Sequence, residues 1–128
     1  MGSTPTPGTL WISRARARPV SLLKFVVVLR RKTDWTFERF RDYFIGVHGP
    51  LAQKIPGLRR YRQNFPIVDP KRAAPEWDCV VELYFDDKDS MEAAWATPEG
   101  QAATADVEVC ADLARTSWSV VEERIVIS

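Results

Sequence analysis

The pattern of apolar and polar residues along this chain of 128 residues predicts an α+β domain. First, the run 22–31, "LLKFVVVLRR", is almost continuously apolar, as expected of a strand that is covered on both faces. Second, the segment 37–47 repeats its apolar residues every three or four positions, which indicates an amphipathic helix. Third, the whole chain gives the order strand, helix, strand, strand, helix, strand. This order is the split β-α-β pattern of the ferredoxin-like fold, in which two helical layers cover one face of a four-stranded antiparallel sheet.

The first helix has a recognisable beginning and a single apolar face. Thr36 is a suitable N-cap for "FERFRDYFIGV", because its hydroxyl can accept a hydrogen bond from the backbone of the first turn. The apolar stripe of this helix is expected to pack against the sheet. Its members are Phe37, Phe40, Phe44 and Val47.

The remaining elements follow from similar patterns. Residues 57–65 alternate between two faces and are largely polar, which predicts a strand at the edge of the sheet. Residues 78–87 are rich in β-branched and aromatic side chains and predict another strand, and residues 117–127 predict the last one. The second helical segment is expected to break at Thr97 and Pro98, where Thr97 caps and Pro98 takes the first position of the next helix.

Size and composition restrict the domain organisation and the partners. The chain is long enough for one core; residues 1–20 are expected to form a flexible arm, and residues 21–128 a single domain. The formal net charge of +1 attracts neither nucleic acid nor an anionic membrane, and no apolar stretch is long enough to span a bilayer. Cys79 and Cys110 are expected to be small buried apolar residues. We therefore expect a cytoplasmic protein with no nucleic-acid or membrane partner.

The apolar strands leave one face of the sheet unexplained. Helices would cover only one face, but residues 25–29 and 120–127 are too continuously apolar for strands with one face in water. The economical cover for the second face is another copy of the same chain. The pattern therefore predicts a homodimer.

Several motifs resemble those of the EthD family when they are taken in order. "HGPL" (48–51) follows the first helix, and "PGLRRY" (56–61) leads into the second strand. "WDCVVELYFDD" resembles a later strand of the family and places Glu82 at its acidic position, and "TPEGQAATADVE" resembles the second helix. The resemblance covers about residues 22–127. It implies a dimeric α+β barrel with a pocket for a small apolar ring, in a group of families that includes isomerases, cofactor-free oxygenases, dehydratases, decarboxylases and haem-binding proteins.

The only histidine of the chain, His48, lies where a helix break is expected. Pro50 has no N–H, so the carbonyl of Gly46 would lose its helical partner, and Gly49 would ease the change of direction. Three interpretations remain open. His48 is a capping group for the last carbonyls of its own helix, a general base or ligand-binding group beside an aromatic pocket, or a surface residue without a role.

Glu82 and Tyr61 are the other two candidate catalytic residues. Strand alternation places Glu82 within an apolar run, where a carboxylate is costly unless it is paired or hydrated. It is either a salt-bridge partner, to Arg60 or Arg62 or across the dimer, or a carboxylate that orients the imidazole or takes a substrate proton. Tyr61, like Tyr84, either donates a hydrogen bond to a substrate oxygen or is a core or interface aromatic residue.

Aromatic residues are expected to line the space between the sheet and the helices, mostly as core and in part as walls of a pocket. Those assigned to substrate binding are Phe25, Phe44, Tyr84, Trp95 and Trp118. One histidine and two distant cysteines cannot build an ordinary zinc site, and the chain lacks both a glycine-rich phosphate loop and a Gly-x-Ser-x-Gly elbow. We therefore expect no metal and no cofactor.

These residues and the family resemblance favour a cofactor-independent enzyme of the lyase, isomerase or dehydratase type. An aromatic, lactone or polyketide-like substrate would lie between the sheet and the helices. His48 would move a proton, while Tyr61 or Glu82 would position an oxygen atom. Two alternatives stay open, namely a ligand-binding or accessory dimer without chemistry, and a haem-binding barrel with His48 as the axial ligand.

Overall fold

The computed structural model describes residues 22–128, which form one four-stranded antiparallel sheet with helices on one face. The spatial order of the strands is β2-β3-β1-β4, as in the ferredoxin-like fold. The strands are β1 (Leu23–Leu29), β2 (Arg60–Asn64), β3 (Cys79–Phe85) and β4 (Ser117–Val121). The predicted fold class is confirmed. The predicted flexible arm lies outside the described residues.

The valine-rich strand β1 lies inside the sheet, between β3 and β4, as its apolar sequence predicts. Val27 is opposite Val81 of β3 on one side and opposite Trp118 of β4 on the other. Since residues directly opposite each other in an antiparallel pair lie on the same face of a sheet, these three residues share a face, and it is the one that carries the helices. The polar strand β2 is at the edge of the sheet, as predicted.

The first helical segment is continuous through Pro50 and contains a π turn. It consists of α1 (Phe37–Tyr43), a π-helical turn (Phe44–His48) and α2 (Gly49–Ala52). The predicted cap is confirmed, because the Thr36 hydroxyl accepts a hydrogen bond of 3.1 Å from the backbone N–H of Arg39. At the end of the π turn, the backbone N–H of Gly49 donates to the carbonyl of Phe44, five residues earlier.

The π turn corrects two expectations. The helix does not break at Pro50; instead, the wider turn accommodates the missing N–H of this residue. The predicted apolar stripe holds for Phe40 and Phe44, which are buried, but it is wrong for Val47, which is 46% exposed. His48, which is 5% exposed, takes the inward position that was expected for Val47.

The second helical segment breaks at the predicted position, between α3 (Lys88–Ala96) and α4 (Pro98–Cys110). The Thr97 hydroxyl caps α4 by accepting from the backbone N–H of Gly100 at 3.0 Å. Gly100 is also the point at which α4 meets the end of α3. A Cβ atom at this position would lie 2.0 Å from the carbonyl oxygen of Ala94, so only glycine fits without a shift of the backbone.

The last strand is shorter than predicted. Strand β4 ends at Val121 rather than at residue 127, and the apolar residues 125–127 are exposed. The reason is the register, because Val121 already lies opposite Lys24, next to the first residue of β1. Further residues of β4 would therefore run past the beginning of their partner strand.

The two faces of the sheet differ in cover. The helix side holds the core, which includes Leu29, Phe40, Phe85 and both cysteines, each of them buried as predicted for Cys79 and Cys110. The other face, called here the open face, carries no described helix. Its apolar residues are Val26, Val28, Val80 and Val121, all of them half-buried. No helix within residues 22–128 is long and apolar enough to cross a membrane.

Candidate functional site

A cavity of about 470 Å³ lies between the sheet and the helices, and its size is within the usual range for small-molecule sites. Its walls are mainly apolar and come from the helix-facing residues of the strands and from the helices. Aliphatic members include Val27, Leu29, Ile55, Val81, Leu83 and Val107. The cavity also contains the imidazole of His48 and the side chain of Tyr61.

His48 is held in the cavity wall by a residue from the other helical layer. Its Nδ1 atom lies 3.0 Å from a carboxylate oxygen of Asp106, which belongs to α4. The second carboxylate oxygen of Asp106 accepts a hydrogen bond of 2.6 Å from the Tyr43 hydroxyl. The carboxylate therefore has a fixed orientation, and its contact with His48 joins the first helical segment to α4.

This contact assigns the imidazole tautomer. Because a carboxylate only accepts hydrogen bonds, Nδ1 of His48 must carry the proton. The lone pair of a neutral His48 is then on Nε2, which has no hydrogen-bond partner within residues 22–128. Burial lowers the pKa of His48 below its ordinary value, and the Asp106 carboxylate offsets only part of this effect. At neutral pH the imidazole is consequently an uncharged base.

Tyr61 is oriented by its neighbour Gln63 on the edge strand β2. The Gln63 side-chain amide donates to the Tyr61 hydroxyl oxygen at 3.0 Å and to the carbonyl of Phe44 at 3.2 Å. The Tyr61 oxygen thus accepts a hydrogen bond from the protein, which leaves its own proton available to a ligand. Burial raises the pKa of Tyr61 to about 12, so the hydroxyl stays protonated at neutral pH.

The π turn places His48 in this wall. The ring of Phe44 stacks on the His48 ring with centroids 4.5 Å apart, and Phe40 stacks on Phe44 at 5.4 Å. The carbonyl of Phe44 also accepts hydrogen bonds from the backbone N–H of Gly49 and from the side-chain amide of Gln63. The same turn of helix therefore sets the position of the imidazole and anchors the side chain that orients Tyr61. π turns of this kind are frequent at functional sites.

Most of the aromatic residues predicted for substrate binding line the cavity. Phe25, Phe44, Trp95 and Trp118 all belong to its wall. Phe25 is central to this group, with ring centroids 5.4 Å from Trp95 and 6.4 Å from Trp118. Trp118 is 41% exposed on the edge strand β4, so it lies at the margin of the cavity rather than at its bottom.

Glu82 and Tyr84 are not part of this cavity, because both side chains lie on the open face. Glu82 forms a salt bridge with Lys24 at 2.7 Å, and this contact lowers the pKa of the carboxyl group. The expected partners, Arg60 and Arg62, are instead placed over the Tyr84 ring at 5.5 and 5.7 Å. The sheet therefore separates Glu82 from His48, and Glu82 cannot orient the imidazole within one chain.

Asp106 is the site residue that the sequence reasoning missed. It lies on α4 next to Val107 and three positions after Ala103, both of which are buried. A carboxylate that borders the apolar face of a helix is a signal that could have identified it. The signal is weak, since nothing in the sequence indicates which element α4 packs against.

Metal ligation and thiol chemistry are two other possibilities for the described part of the chain. Residues 22–128 contain no group of three or more His, Cys, Asp or Glu that could hold a metal ion. Burial raises the pKa of both cysteine thiols to about 12, which makes them poor nucleophiles at neutral pH. The chemistry that the arrangement supports is proton transfer by His48 together with hydrogen bonding by Tyr61.

Known proteins share this fold and part of this sequence. An uncharacterised 11.0 kDa protein from the thcB-thcC intergenic region of Rhodococcus erythropolis is 35% identical over 69 residues, which are 53% of this chain and 65% of that protein. The chain thus spans slightly less than two thirds of this curated relative. The crystal structure of an ethyl tert-butyl ether d (EthD) family protein from Bacillus halodurans superimposes with a TM-score of 0.70 and 26% identity, covering 80% of this chain and 99% of that one.

Two more distant structures share the fold alone. A dimeric ferredoxin-like protein of unknown function from Thermobifida fusca has a TM-score of 0.60 at 20% identity, over 79% of this chain and 90% of the other. SnoaB, a cofactor-independent oxygenase from Streptomyces nogalater, has a TM-score of 0.58 at 13% identity, over 84% of this chain and 97% of the other.

The match to a family model covers both helical segments and the strands β2 and β3. The model of the EthD domain matches residues 32–114, well over half of the chain. This range contains His48, Tyr61 and Asp106, together with both helical segments. The predicted resemblance is confirmed, and the chain belongs to the EthD family.

Proposed function

We propose that this chain is a cofactor-independent enzyme of the lyase, isomerase or dehydratase type, acting on an aromatic, lactone or polyketide-like molecule. The observation that carries the proposal is the hydrogen bond between His48 and Asp106 in the wall of an apolar cavity. A histidine whose Nδ1–H is bound to a carboxylate and whose Nε2 is free has the arrangement of a general base.

His48 would take a proton from the substrate through Nε2. The imidazole gains a positive charge in this step, and Asp106, 3.0 Å from Nδ1, stabilises that charge. A buried neutral imidazole alone would resist protonation, so the carboxylate lowers the cost of the transition state more than that of the ground state. His48 can then return the proton to another atom of the same molecule, which gives isomerisation or elimination.

Tyr61 would stabilise the charge that develops on the substrate. Removal of a proton next to a carbonyl group moves negative charge to the carbonyl oxygen, and a fixed hydroxyl donor lowers the energy of this oxyanion. Gln63 keeps the Tyr61 hydroxyl in place and leaves its proton for the substrate. Phe25, Trp95 and Trp118 would provide flat apolar surfaces for a ring system.

The fold comparison supports chemistry without a cofactor on this scaffold. SnoaB is described as a cofactor-independent oxygenase, and its fold extends over 84% of this chain. At 13% identity, this likeness indicates that the scaffold can hold such a reaction and does not identify the reaction itself.

We further propose that two chains assemble through their open faces. Val26, Val28 and Val80 are half-buried on this face, where apolar side chains favour a partner over water. The structural neighbour from Thermobifida fusca is a dimer.

Light scattering at micromolar concentration tests this assembly. It should give the mass of a dimer for the native chain and of a monomer for Val28→Arg. Ala93→Arg, at an exposed position of α3, is the matched control. A folded native monomer would contradict this assembly.

The enzymatic proposal is tested by turnover. The purified protein is incubated with aromatic lactones and polyketide-type ketones, and products are followed by mass spectrometry. His48→Ala should lower the rate by about 10²-fold or more, as expected for loss of a general base. Gln53→Ala, at an exposed position after α2, is the control variant and should turn over substrate at the native rate.

Two other outcomes would favour the alternatives. A binding protein would retain its ligand unchanged. In that case His48→Ala would alter the affinity for the ligand, and no turnover would be seen in either chain. A Soret band on titration with hemin that disappears in His48→Ala would indicate a haem-binding protein. Unchanged turnover in His48→Ala would remove the mechanism proposed here.

A further inference from the structure

The lining of the cavity, as far as residues 22–128 form it, is uncharged at neutral pH. None of the described residues in its wall is Lys, Arg, Asp or Glu. The carboxylate of Asp106 lies one hydrogen bond behind His48. Asp106 itself is largely enclosed, with 12% of its side chain exposed.

This arrangement opposes a second negative charge. An anionic ligand in the cavity would lose hydration, and it would find no Lys or Arg among the described lining residues to compensate. It would also lie near the Asp106 carboxylate while His48 is neutral, so the two anions would repel each other through an apolar medium. An uncharged ligand of the same shape has neither disadvantage.

Hydrogen-bond donors among the described lining residues are few, and none of them belongs to a Lys or Arg side chain. The Thr104 hydroxyl donates to the carbonyl of Gly100 at 2.8 Å, and the Gln101 amide is directed to the carbonyl of Ala96 at 3.4 Å. Trp95 and Trp118 add neutral indole N–H donors, but the set that other side chains hold in position consists of the acceptor Nε2 of His48 and the donor hydroxyl of Tyr61. This set matches one acidic proton and one neutral oxygen.

We propose that the cavity selects an uncharged ring compound that offers one acidic proton to His48 and a separate ketone or ester oxygen to Tyr61, and that it rejects the same ring when it carries a carboxylate. This selectivity deepens the proposed function and rests on it for the roles of His48 and Tyr61. It concerns binding, so it is measured separately from turnover.

The test compares three probes that share one ring system. They are 6-acetyl-2-naphthol, methyl 6-hydroxy-2-naphthoate and 6-hydroxy-2-naphthoic acid, of which only the acid is anionic at pH 7. Isothermal titration calorimetry at pH 7 should show that the ketone and the ester bind at least about tenfold more tightly than the acid, because the charge must be desolvated without a partner. An acid that binds as tightly as the ketone overturns the proposal, and so does the absence of binding for all three probes.

A variant that adds a cation gives an independent test. Thr104 lies in the cavity wall at an exposed position of α4, and Thr104→Lys should increase the affinity for the acid about fivefold or more relative to the ketone. Ala102→Lys adds the same charge at an exposed position of the same helix outside the wall, and it should leave this ratio unchanged. An equal gain in both variants would show that net charge, rather than the lining, sets the preference.

These results are distinguishable from those of the catalytic test. If the ketone and the ester bind selectively but His48→Ala turns over substrates as fast as the native chain, the catalytic proposal fails and the selectivity stands. If His48 is required for turnover but the acid binds as tightly as the ester, the selectivity fails and the catalytic proposal stands.

Discussion

His48 and Asp106, which are 58 positions apart in the sequence, are joined by a hydrogen bond of 3.0 Å between the two helical layers. The first helical segment provides the imidazole, and α4 provides the carboxylate. The cavity lies between these helices and the sheet, so the pair is fixed by the packing of the whole domain. Its properties can be measured with unusual clarity, because the chain contains one histidine.

The first prediction concerns the pKa of His48. Burial should keep this pKa below the ordinary value of 6.5, and Asp106→Asn should lower it further, since the carboxylate stabilises the imidazolium. In a sample without an affinity tag, the single imidazole Cε1 proton can be followed by NMR against pH. A midpoint at or above 6.5 in the native chain would contradict this prediction and would show that the Asp106 carboxylate outweighs the effect of burial.

The second prediction is a dependence of stability on pH. The unfolded chain binds a proton at His48 near pH 6.5, whereas the folded chain binds it only at lower pH. The free energy of unfolding should therefore decrease as pH falls below about 6.5, because the unfolded state then holds more protons. Urea denaturation at several pH values measures this slope. His48→Phe, which keeps an aromatic ring against Phe44, should remove this part of the slope.

The third prediction concerns Asp106 as a positioning residue. Asp106→Asn should reduce kcat by about 10²-fold or more, because the amide neither fixes the Nδ1–H tautomer nor stabilises the imidazolium. The acidic limb of the profile of kcat/KM against pH should also move to lower pH. Tyr43→Phe removes a hydrogen bond to the same carboxylate but keeps its charge, so its effect should be smaller. Equal losses in both variants, without a change in the pH profile, would indicate a purely structural role for Asp106.

The fourth prediction separates the Tyr61 hydroxyl from the Tyr61 ring. Tyr61→Phe should lower kcat by about 10- to 100-fold with a smaller change in KM, since an oxyanion donor acts mainly in the transition state. Gln63→Leu should cause a similar but smaller loss, because it removes the side chain that orients the hydroxyl. An increase in KM alone in Tyr61→Phe would mean that the hydroxyl serves binding rather than catalysis.

The features that the sequence predicted well are governed by local interactions. The caps at Thr36 and Thr97 depend on residues within three positions, and both are found as predicted. Alternation along β3 likewise puts Glu82 on the same face as Val80 and Tyr84. Alternation does not predict the salt-bridge partner of Glu82. Lys24 reaches Glu82 only because of the register between β1 and β3.

The features that the sequence reasoning missed depend on distant contacts. Pro50 correctly indicates a disturbance of the helix, but whether the chain breaks or widens into a π turn depends on the contacts of Phe44 and His48. The pairing of His48 with Asp106 requires α4 to pack across the first helical segment, which is a property of the assembled fold. His48 and Tyr61 were therefore accessible from the sequence, whereas Asp106, which fixes the tautomer of His48, was not.

The fifth prediction concerns the close approach of α3 and α4, which carries Asp106 to its position. Gly100→Ala would place a Cβ atom 2.0 Å from the carbonyl oxygen of Ala94, which is backbone and cannot turn aside. The two helices must then separate, and the free energy of unfolding should fall by about 1–3 kcal/mol, as for other overpacked sites.

Gly46→Ala is the matched control, because a Cβ atom there meets nothing within 4 Å. This variant should raise the free energy of unfolding by less than about 1 kcal/mol, since alanine restricts the unfolded chain more than glycine does. Urea denaturation of both variants measures the difference, and equal stabilities would show that the helices are not in the close contact described here.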